Sequence, residues 1–362
     1  MLRLTIPKPI PAKLDIRATF GIVRCAARSL HPTQHTIRRH YTVVSKSKKF
    51  SNHTAVMRPQ NCTSIQKPIN PVVHDLFDVA TGSWQYVVAD PTSSRSVIID
   101  PVLNFDPVTA KIWTESADRI LAFVEANGYK VDMILETHVH ADHITAASYL
   151  QHVLQQKQGL KIPICIGSRI KGIQKRFGEK YNIPLDEYRN AFDKEWEDDE
   201  IFNVGTLSAQ AIHLPGHTPD HMGYKIGEDV FVGDTVFHMD IGSARADFPG
   251  GCAQSIYDSG HKLFALPDHT RIWSGHDYPP KERDGPRACS TVKQQKEGNK
   301  HLRIGTSKES FVQQRQERDE TLAAPRLIHQ SLQMNIRAGR LPGETNLGGR
   351  MLAIPLKSDV YW

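Results

Sequence analysis

The stretch Thr137-His138-Val139-His140-Ala141-Asp142-His143 places three imidazoles and one carboxylate within seven residues. It follows the apolar run Val131 to Glu136, which predicts a buried strand, and it precedes a predicted helix over 144–156. Histidine accounts for only 18 of the 362 residues, so chance does not explain this cluster. Imidazoles and carboxylates are ligands of divalent metals such as zinc, manganese and iron. The stretch therefore predicts a metal site at the carboxyl end of a strand.

Three further stretches, each after an apolar strand, supply more candidate ligands. They are Leu214-Pro215-Gly216-His217-Thr218-Pro219, Val232-Gly233-Asp234-Thr235 and Ser274-Gly275-His276-Asp277-Tyr278. A single Gly-His or Gly-Asp pair is a turn more often than a ligand. Because each stretch stands at a strand end and follows the histidine-rich stretch in the chain, one shared metal pocket is the better interpretation.

Strand and helix patterns alternate through the centre of the chain, as in a layered α/β protein. The predicted strands are 72–78, 84–88, 96–99, 131–136, 162–166, 207–214, 224–226, 230–232 and 271–273. Asp106 before Pro107 predicts a helix start, and apolar residues at helical spacing continue it to a stop at Asn127-Gly128. A further helix is predicted over 252–266. The stretch Tyr188 to Glu200 predicts a loop, and polar residues from Cys289 onward predict a helical appendage.

These motifs, in this order, resemble the metallo-β-lactamase superfamily, and the resemblance spans residues 70–285. It implies an α/β fold, the αβ/βα four-layer sandwich, with a helical C-terminal extension. Asp234 stands where zinc β-lactamases usually carry cysteine, which disfavours antibiotic hydrolysis. The stretch Asp240-Ile241-Gly242-Ser243-Ala244-Arg245-Ala246-Asp247-Phe248-Pro249-Gly250-Gly251 is similar to the persulfide dioxygenases (sulfur dioxygenases), in particular to their β-lactamase-hydrolase-like subgroup.

The resemblance implies one Fe(II) per chain, held by His138, His217 and Asp234 as a two-histidine, one-carboxylate triad that also carries the catalysis. It implies glutathione persulfide and O₂ as substrates, with sulfite and glutathione as products. The expected substrate-binding residues are Arg245, Tyr278 and Lys296. Lys296 stands near a position where related enzymes carry an arginine.

The residues His140, Asp142, His143 and His276 leave the number of metal ions open. The dioxygenase resemblance places them around the iron, where hydrogen bonds would orient the ligands. The alternative is a glyoxalase II-like thioester hydrolase (hydroxyacylglutathione hydrolase) with two zinc, iron or manganese ions. There these residues would hold the second ion, and a bridging hydroxide would attack the thioester carbonyl. The sequence does not separate these two interpretations.

The N-terminal segment carries most of the positive charge. Up to His74 there are 13 Lys and Arg against one acidic residue, whereas the remainder has 32 basic and 38 acidic residues. Arginines interleaved with apolar and hydroxyl residues are typical of a mitochondrial transit peptide. We therefore expect a transit peptide over 1–41 and a location in the mitochondrial matrix. The alternative is a disordered basic arm that contacts RNA or acidic lipid.

The predicted organisation continues with a poorly ordered linker over 42–70, a catalytic domain over 71–285 and a helical extension packed on that domain over 286–362. No run of eighteen or more apolar residues appears, which argues against a membrane span. Five dispersed cysteines without a Cys-x-x-Cys pair argue for reduced thiols. The acidic balance after His74 argues against a nucleic-acid partner. A homodimer is a further expectation from the resemblance.

Overall fold

The computed structural model describes residues 69–358 and residue 360. The predicted transit peptide and the predicted linker up to residue 68 lie outside the described residues. In chain order the strands are β1 (Val72–Asp78), β2 (Ser83–Ala89), β3 (Arg95–Ile99), β4 (Val102–Asp106), β5 (Lys111–Trp113), β6 (Lys130–Leu135), β7 (Ile144–Thr145), β8 (Ile164–Gly167), β9 (Lys194–Trp196), β10 (Ile201–Val204), β11 (Leu207–His213), β12 (Met222–Ile226), β13 (Asp229–Phe231), β14 (Arg271–Trp273) and β15 (Cys289–Thr291). The helices are α1 (Glu115–Ala126), α2 (Ala147–Gln158), α3 (Ile170–Lys180), α4 (Ala253–Phe264), α5 (Val292–Gly298), α6 (Lys308–Asp319) and α7 (Ile328–Asn335).

The strands form two six-stranded sheets and one small sheet. The first large sheet has the order β1-β2-β3-β6-β8-β9, the second has the order β10-β11-β12-β13-β14-β15, and the small sheet has the order β5-β4-β7. Strands β3, β6, β8 and β9 run parallel to one another, and so do β13 and β14. Because β13 and β14 are neighbouring parallel strands of the second sheet, the segments that follow them lie side by side. The segment after β6 reaches the second sheet from the first, and the Met222 N–H donates to the Thr137 carbonyl at 2.8 Å.

Apolar side chains alternate along the strands and define three core layers. On β2, Tyr86 points to the core between the two large sheets, whereas Val87 points to the core on the outer face of the first sheet. Helices α1 and α2 cover that outer face with Ile120 and Leu150. Helices α4 and α6 cover the outer face of the second sheet, where Phe311 is fully buried. The layers therefore follow the order helix, sheet, sheet, helix, and the predicted four-layer sandwich is confirmed.

Three local predictions were wrong. The helix predicted from Pro107 begins at Glu115, because residues 102–106 and 111–113 pair as antiparallel strands around an exposed turn. The helix predicted from Ile144 begins at Ala147, because Ile144 pairs with Leu103 of β4. The segment 188–200 contains β9, which pairs with β8, and is therefore not a loop throughout.

The segment from Cys289 onward begins with a strand and continues with three helices. Strand β15 pairs with β14, and the Thr291 side chain then caps α5 through the Gln294 backbone. Helix α6 packs on the second sheet through Phe311, and α7 joins the outer core of the first sheet through Met334. The chain between α6 and α7 therefore passes from one half of the sandwich to the other. Within the described residues, the helices are too short or too polar to cross a membrane.

Candidate metal centre

Two imidazoles and one carboxylate meet at the edge where the strands end. Ligand atoms of His138, His217 and Asp234 lie within 4.8 Å of one another, and all three residues are buried. His138 follows β6, His217 follows β11 and Asp234 follows β13. Among the described residues, His138 Nε2 and Asp234 Oδ1 have no hydrogen-bond partner. Because unpartnered buried polar atoms are costly and these are metal-ligating atoms, the residues fit a bound metal ion.

A hydrogen-bond chain sets the tautomer of His138. The Thr137 hydroxyl lies 2.8 Å from Asp100 Oδ2 and 3.0 Å from His138 Nδ1. A carboxylate only accepts, so the hydroxyl donates to Asp100 and accepts from the Nδ1 proton of His138. This leaves the Nε2 lone pair free to face the other ligands. Burial and the imidazoles of His140 and His221 hold the pKa of His138 well below its usual value, which keeps the ring neutral.

Backbone contacts orient the other two ligands. His217 Nδ1 donates to the carbonyl oxygen of Arg245 at 2.9 Å, which leaves its Nε2 free 3.5 Å from Asp234 Oδ2. The backbone N–H of Asp234 donates to His221 Nε2 at 2.9 Å. His221 is therefore not placed as a ligand in this arrangement; it fixes the backbone that carries Asp234.

His140 lies beside this group but is not part of it. Its Nε2 lies 3.2 Å from Asp100 Oδ1 and 3.3 Å from Glu136 Oε2, which points that nitrogen away from His217 and Asp234. Its Nδ1 is buried and unpartnered among the described residues. His140, Asp142 and His143 form a second set of ligand atoms within 4.8 Å of one another. These are two neighbouring candidate ligand sets, and a third group, Asp100, Glu136 and His140, shares His140 with the second set.

Asp142 and His276 lie where the two sets meet. His276 Nε2 is 3.3 Å from Asp142 Oδ2 and 3.5 Å from Asp234 Oδ1. Burial disfavours the charged imidazolium of His276, but the Asp234 and Asp142 carboxylates outweigh it and raise the pKa. Burial likewise opposes the Asp142 carboxylate, yet the imidazoles of His276 and His143 hold its pKa well below the usual range. The carboxylate is therefore ionised and able to bind a cation.

A cavity of about 500 Å³ opens beside the metal ligands, a volume within the range of small-molecule sites. Its inner end is formed by His217, Asp234 and His276, together with Asp142. Its remaining lining residues come from the loop after β13, from Tyr278, and from the C-terminal segment: Phe237, Ile241, Ser243, Ala244, Arg245, Phe248, His301, Arg315, Arg318, Leu322, Pro325, Arg326 and Leu327, with Ala80 and Thr81. A small molecule seated here can reach the ligands.

Two of the three predicted substrate-binding residues line the cavity, and the third does not. Arg245 lines the cavity, but its guanidinium donates two 2.6 Å bonds to Asp247 and a third, of 2.8 Å, to the carbonyl of Ala323. Tyr278 lines the cavity, is 51% exposed, and stacks on His276 with ring centroids 5.6 Å apart. Lys296 is not among the lining residues, and its ammonium lies 2.7 Å from Asp268 Oδ1. The structure therefore brings Arg245 and Tyr278 to the cavity, but not Lys296.

The residues that the C-terminal segment contributes to the cavity were not predicted from the sequence. Arg315 and Arg318 lie three residues apart on α6 and so share one face of that helix. Arg326 follows in the connection to α7. This spacing of arginines was the available signal, but it does not reveal which surface the helix faces.

Comparisons with known proteins agree with the fold. A family model described as the metallo-beta-lactamase superfamily matches residues 79–276. The beta-lactamase hydrolase-like protein of Xylella fastidiosa (strain Temecula1) is 44% identical over 289 residues, which are 80% of this chain and 65% of that protein. This chain thus spans a little less than two thirds of that relative. Glyoxylase B2 of Dictyostelium discoideum is 40% identical over 285 residues, covering 77% of this chain and 94% of that protein.

Two further proteins are similar at lower identity. The mitochondrial persulfide dioxygenase ETHE1 of Bos taurus is 28% identical over 273 residues, which cover 74% of this chain and 89% of that protein. The crystal structure of ETHE1 from Myxococcus xanthus matches with a TM-score of 0.59 and 28% identity, covering 74% of this chain and 100% of that one. Since the family model matches more than half of the residues, this chain belongs to the metallo-beta-lactamase superfamily.

Proposed function

We propose that this protein is a persulfide dioxygenase that uses one Fe(II) ion held by His138, His217 and Asp234. The observation that carries the proposal is that these three ligand atoms lie within 4.8 Å of one another, while His140 belongs to other groups. Two histidines and one carboxylate with open positions are typical of non-haem Fe(II) oxygenases. When bound, the iron would supply open coordination positions for the persulfide sulfur and for O₂. The similarity to proteins named persulfide dioxygenase supports the same conclusion.

The proposed reaction oxidises the terminal sulfur of glutathione persulfide. Glutathione persulfide, O₂ and water yield glutathione, sulfite and two protons, so both atoms of O₂ and the oxygen of water end in sulfite. The electrons for O₂ reduction come from the persulfide sulfur itself, and no further reductant is needed. Holding both reactants in one cavity converts a collision of separate molecules into a reaction within one complex.

The chain's own residues prepare the centre for this reaction. Thr137 and the carbonyl of Arg245 each fix one imidazole with its Nε2 free, so the ligand atoms need little rearrangement. Phe248 packs edge-on against His217 with ring centroids 4.8 Å apart and also lines the cavity. The apolar ring limits water next to the ligands and favours the persulfide over water in this part of the cavity.

A binuclear thioester hydrolase is the second candidate function. The set of His140, Asp142 and His143 favours it, because these residues would hold a second metal ion beside the first. His276, which lies between the Asp142 and Asp234 carboxylates, would complete that set. The similarity to glyoxylase B2 supports this alternative. In that case zinc, iron or manganese would serve, and a glutathione thioester would be the substrate.

Metal content and O₂ uptake distinguish the two functions. The full chain is purified anaerobically, its metals are measured by mass spectrometry, and O₂ consumption is followed after addition of glutathione persulfide. About one iron per chain, with uptake that depends on the persulfide, is the expected result. Two metal ions per chain, no O₂ uptake and cleavage of a glutathione thioester would overturn the proposal.

The variant His143→Ala provides an internal control for this experiment. His143 belongs only to the second ligand set. The proposal therefore predicts that the variant keeps its iron, whereas a binuclear enzyme would lose about half of its metal.

We also propose that the protein acts in the mitochondrial matrix. The basic, acid-poor composition of residues 1–41 supports this location. A C-terminal fluorescent fusion of the full chain is expected in mitochondria, and the same fusion without residues 2–41 is expected in the cytosol. Identical distributions of the two fusions would contradict the proposal.

A further inference from the structure

The outer wall of the cavity comes from α6 and the segment that follows it. Arg318, Leu322 and Arg326 from this wall line the same cavity as His217 and Asp234. The metal ligands form the inner end of the cavity, and the C-terminal wall faces it. A molecule that reaches the metal ligands therefore also contacts this wall.

Two of the arginines in the cavity are already paired with carboxylates. Arg315 is 4% exposed and lies 2.6 Å from Asp319 Oδ1. Arg245 donates two bonds to Asp247. Their charges are largely compensated before any ligand arrives.

Arg318 and Arg326 differ from these two in both exposure and pairing. Both side chains are exposed, and within residues 69–358 neither forms an ion pair with a carboxylate. The acidic residues that line the cavity are Asp142 and Asp234, which belong to the inner end. The outer end therefore carries two guanidinium groups outside any ion pair, although, after local hydrogen bonds, the charge of Arg326 also helps to lower the pKa of the exposed Asp106 carboxyl.

Hydrogen bonds hold this wall against the loop after β13. The backbone N–H of Ala246 donates to Asp319 Oδ2 at 2.8 Å, and Arg245 Nη1 donates to the carbonyl of Ala323 at 2.8 Å. The first bond holds the last residue of α6, and the second holds the start of the segment between α6 and α7. The backbone that carries Arg318 and Arg326 is thus positioned before a ligand binds, which reduces the entropy lost on binding.

Apolar side chains line the cavity together with these polar groups; they are Phe237, Ile241, Phe248, Leu322, Pro325 and Leu327, with the small Ala80 and Ala244. The cavity therefore combines buried metal ligands, apolar side chains and two exposed guanidinium groups. This arrangement fits a molecule with a metal-binding sulfur at one end and carboxylates at the other.

We propose that Arg318 and Arg326 form a carboxylate-binding pair that selects thiol and persulfide substrates carrying peptide carboxylates. This proposal rests on the proposed function, which places the sulfur end of the substrate at the metal ion. A guanidinium binds a carboxylate through two parallel hydrogen bonds, which a lysine or a neutral side chain does not reproduce. The C-terminal segment thereby determines substrate specificity.

The test measures binding of glutathione by calorimetry to the full-length, metal-loaded protein. Arg318→Gln and Arg326→Gln are each expected to weaken binding about tenfold, and the double variant about a hundredfold, because each loses a charge-assisted bond. Glutathione diethyl ester, whose carboxylates are masked, is expected to bind the wild type and all variants with equal affinity. Arg303→Gln is the matched control, because Arg303 is exposed, lies between α5 and α6, and does not line the cavity.

In steady-state kinetics, Arg318→Gln and Arg326→Gln are each expected to raise KM for glutathione persulfide and to leave kcat unchanged. The KM for cysteamine persulfide, which has no carboxylate, should not change in the double variant. Metal content and the thermal midpoint of each variant should match the wild type.

Three results would overturn the proposal: undetectable glutathione binding by the wild type, unchanged glutathione affinity in the double variant, or an equal loss of affinity for the diester. Failure of the proposed function appears separately, in the metal content and O₂ uptake of the wild type. If the protein proves to be a glutathione thioester hydrolase, glutathione binding still tests the two arginines, since the carboxylates are the same.

Discussion

The Nδ1 proton of His217 is donated to the carbonyl oxygen of Arg245 at 2.9 Å. The next residue, Ala246, donates its backbone N–H to Asp319 at the end of α6. A candidate metal ligand is thus separated from the C-terminal helices by only two hydrogen bonds and one peptide unit. Changes in the extension are therefore expected to affect the metal centre as well as the cavity.

Removing either a histidine or the carboxylate of the first ligand set should abolish metal binding. His217→Ala and Asp234→Ala each leave two ligands of the three that lie within 4.8 Å, too few for a stable site. The measurement is metal per chain after dialysis. His213→Ala is the matched control, because His213 Nε2 bonds the carbonyl of Pro219 and lies outside both ligand sets. Full metal content in Asp234→Ala would show that Asp234 is not a ligand.

The Thr137 hydroxyl should tune metal affinity without contacting the metal. Thr137→Val removes the group that accepts from His138 Nδ1 and donates to Asp100, at nearly constant volume. Loss of such an orienting partner weakens metal binding about 10- to 100-fold. Competition with a chromogenic chelator measures the change, and Thr137→Ser, which keeps the hydroxyl, should bind nearly as well as the wild type. Equal affinities for the valine and serine variants would contradict the role of this bond.

Asp319→Asn should destabilise the protein. Arg315 and Asp319 are both buried and pair at 2.6 Å, so the substitution leaves an uncompensated guanidinium in the interior. Breaking a buried pair in this way costs about 3–5 kcal/mol. Urea unfolding measures the loss, with Glu320→Gln as the control because Glu320 is the exposed neighbour. A loss below about 1 kcal/mol, the level of a surface ion pair, would mean that the pair is effectively solvated.

His301 should make stability fall with acidification. Burial, with the charges of Arg315, Lys300 and Arg318, lowers the pKa of His301 to about 4, whereas the unfolded chain has the usual value of about 6.5. Between these values the unfolded state binds the proton and the native state does not, so the free energy of unfolding falls as the pH falls. From pH 7 to pH 5 this amounts to about 2 kcal/mol.

The comparison that isolates this effect is His301→Gln. Its amide oxygen can still accept from the Ser243 N–H, which donates to His301 Nδ1 at 3.1 Å in the wild type. Urea unfolding at both pH values should give a loss between pH 7 and pH 5 that is about 2 kcal/mol smaller in the variant. Equal losses in the two proteins would mean that His301 keeps its usual pKa.

The sequence predicted the proximity of the candidate metal ligands better than it predicted the cavity. His138, His217 and Asp234 each follow an apolar strand, at positions where ligands of a layered α/β protein are expected, so their proximity could be inferred from local pattern although β6 lies in a different sheet from β11 and β13. Asp106 and Pro107 gave a misleading local signal: the carboxylate of Asp106 accepts from the Val108 backbone within a turn between two strands, not at a helix start.

The cavity depends on contacts between distant parts of the chain. Arg245 and Ala323 bond across 78 residues, and nothing in the spacing of either segment indicates that they touch. Lys296 is the opposite case: it was expected to bind the substrate, but its ammonium pairs with Asp268 and it does not line the cavity. Side chains that gain their role from packing between segments are therefore the part that a single sequence leaves open.

The distance along the chain between the ligands and the cavity wall has a consequence for biosynthesis. His138, His217 and Asp234 are all translated before Arg318 and Arg326, and about eighty residues separate Asp234 from the start of the wall. Because synthesis runs from the N-terminus, every residue of the first ligand set is made before the wall exists. Under the proposals above, the segment that confers carboxylate selectivity is thus the last part of the site to be synthesised.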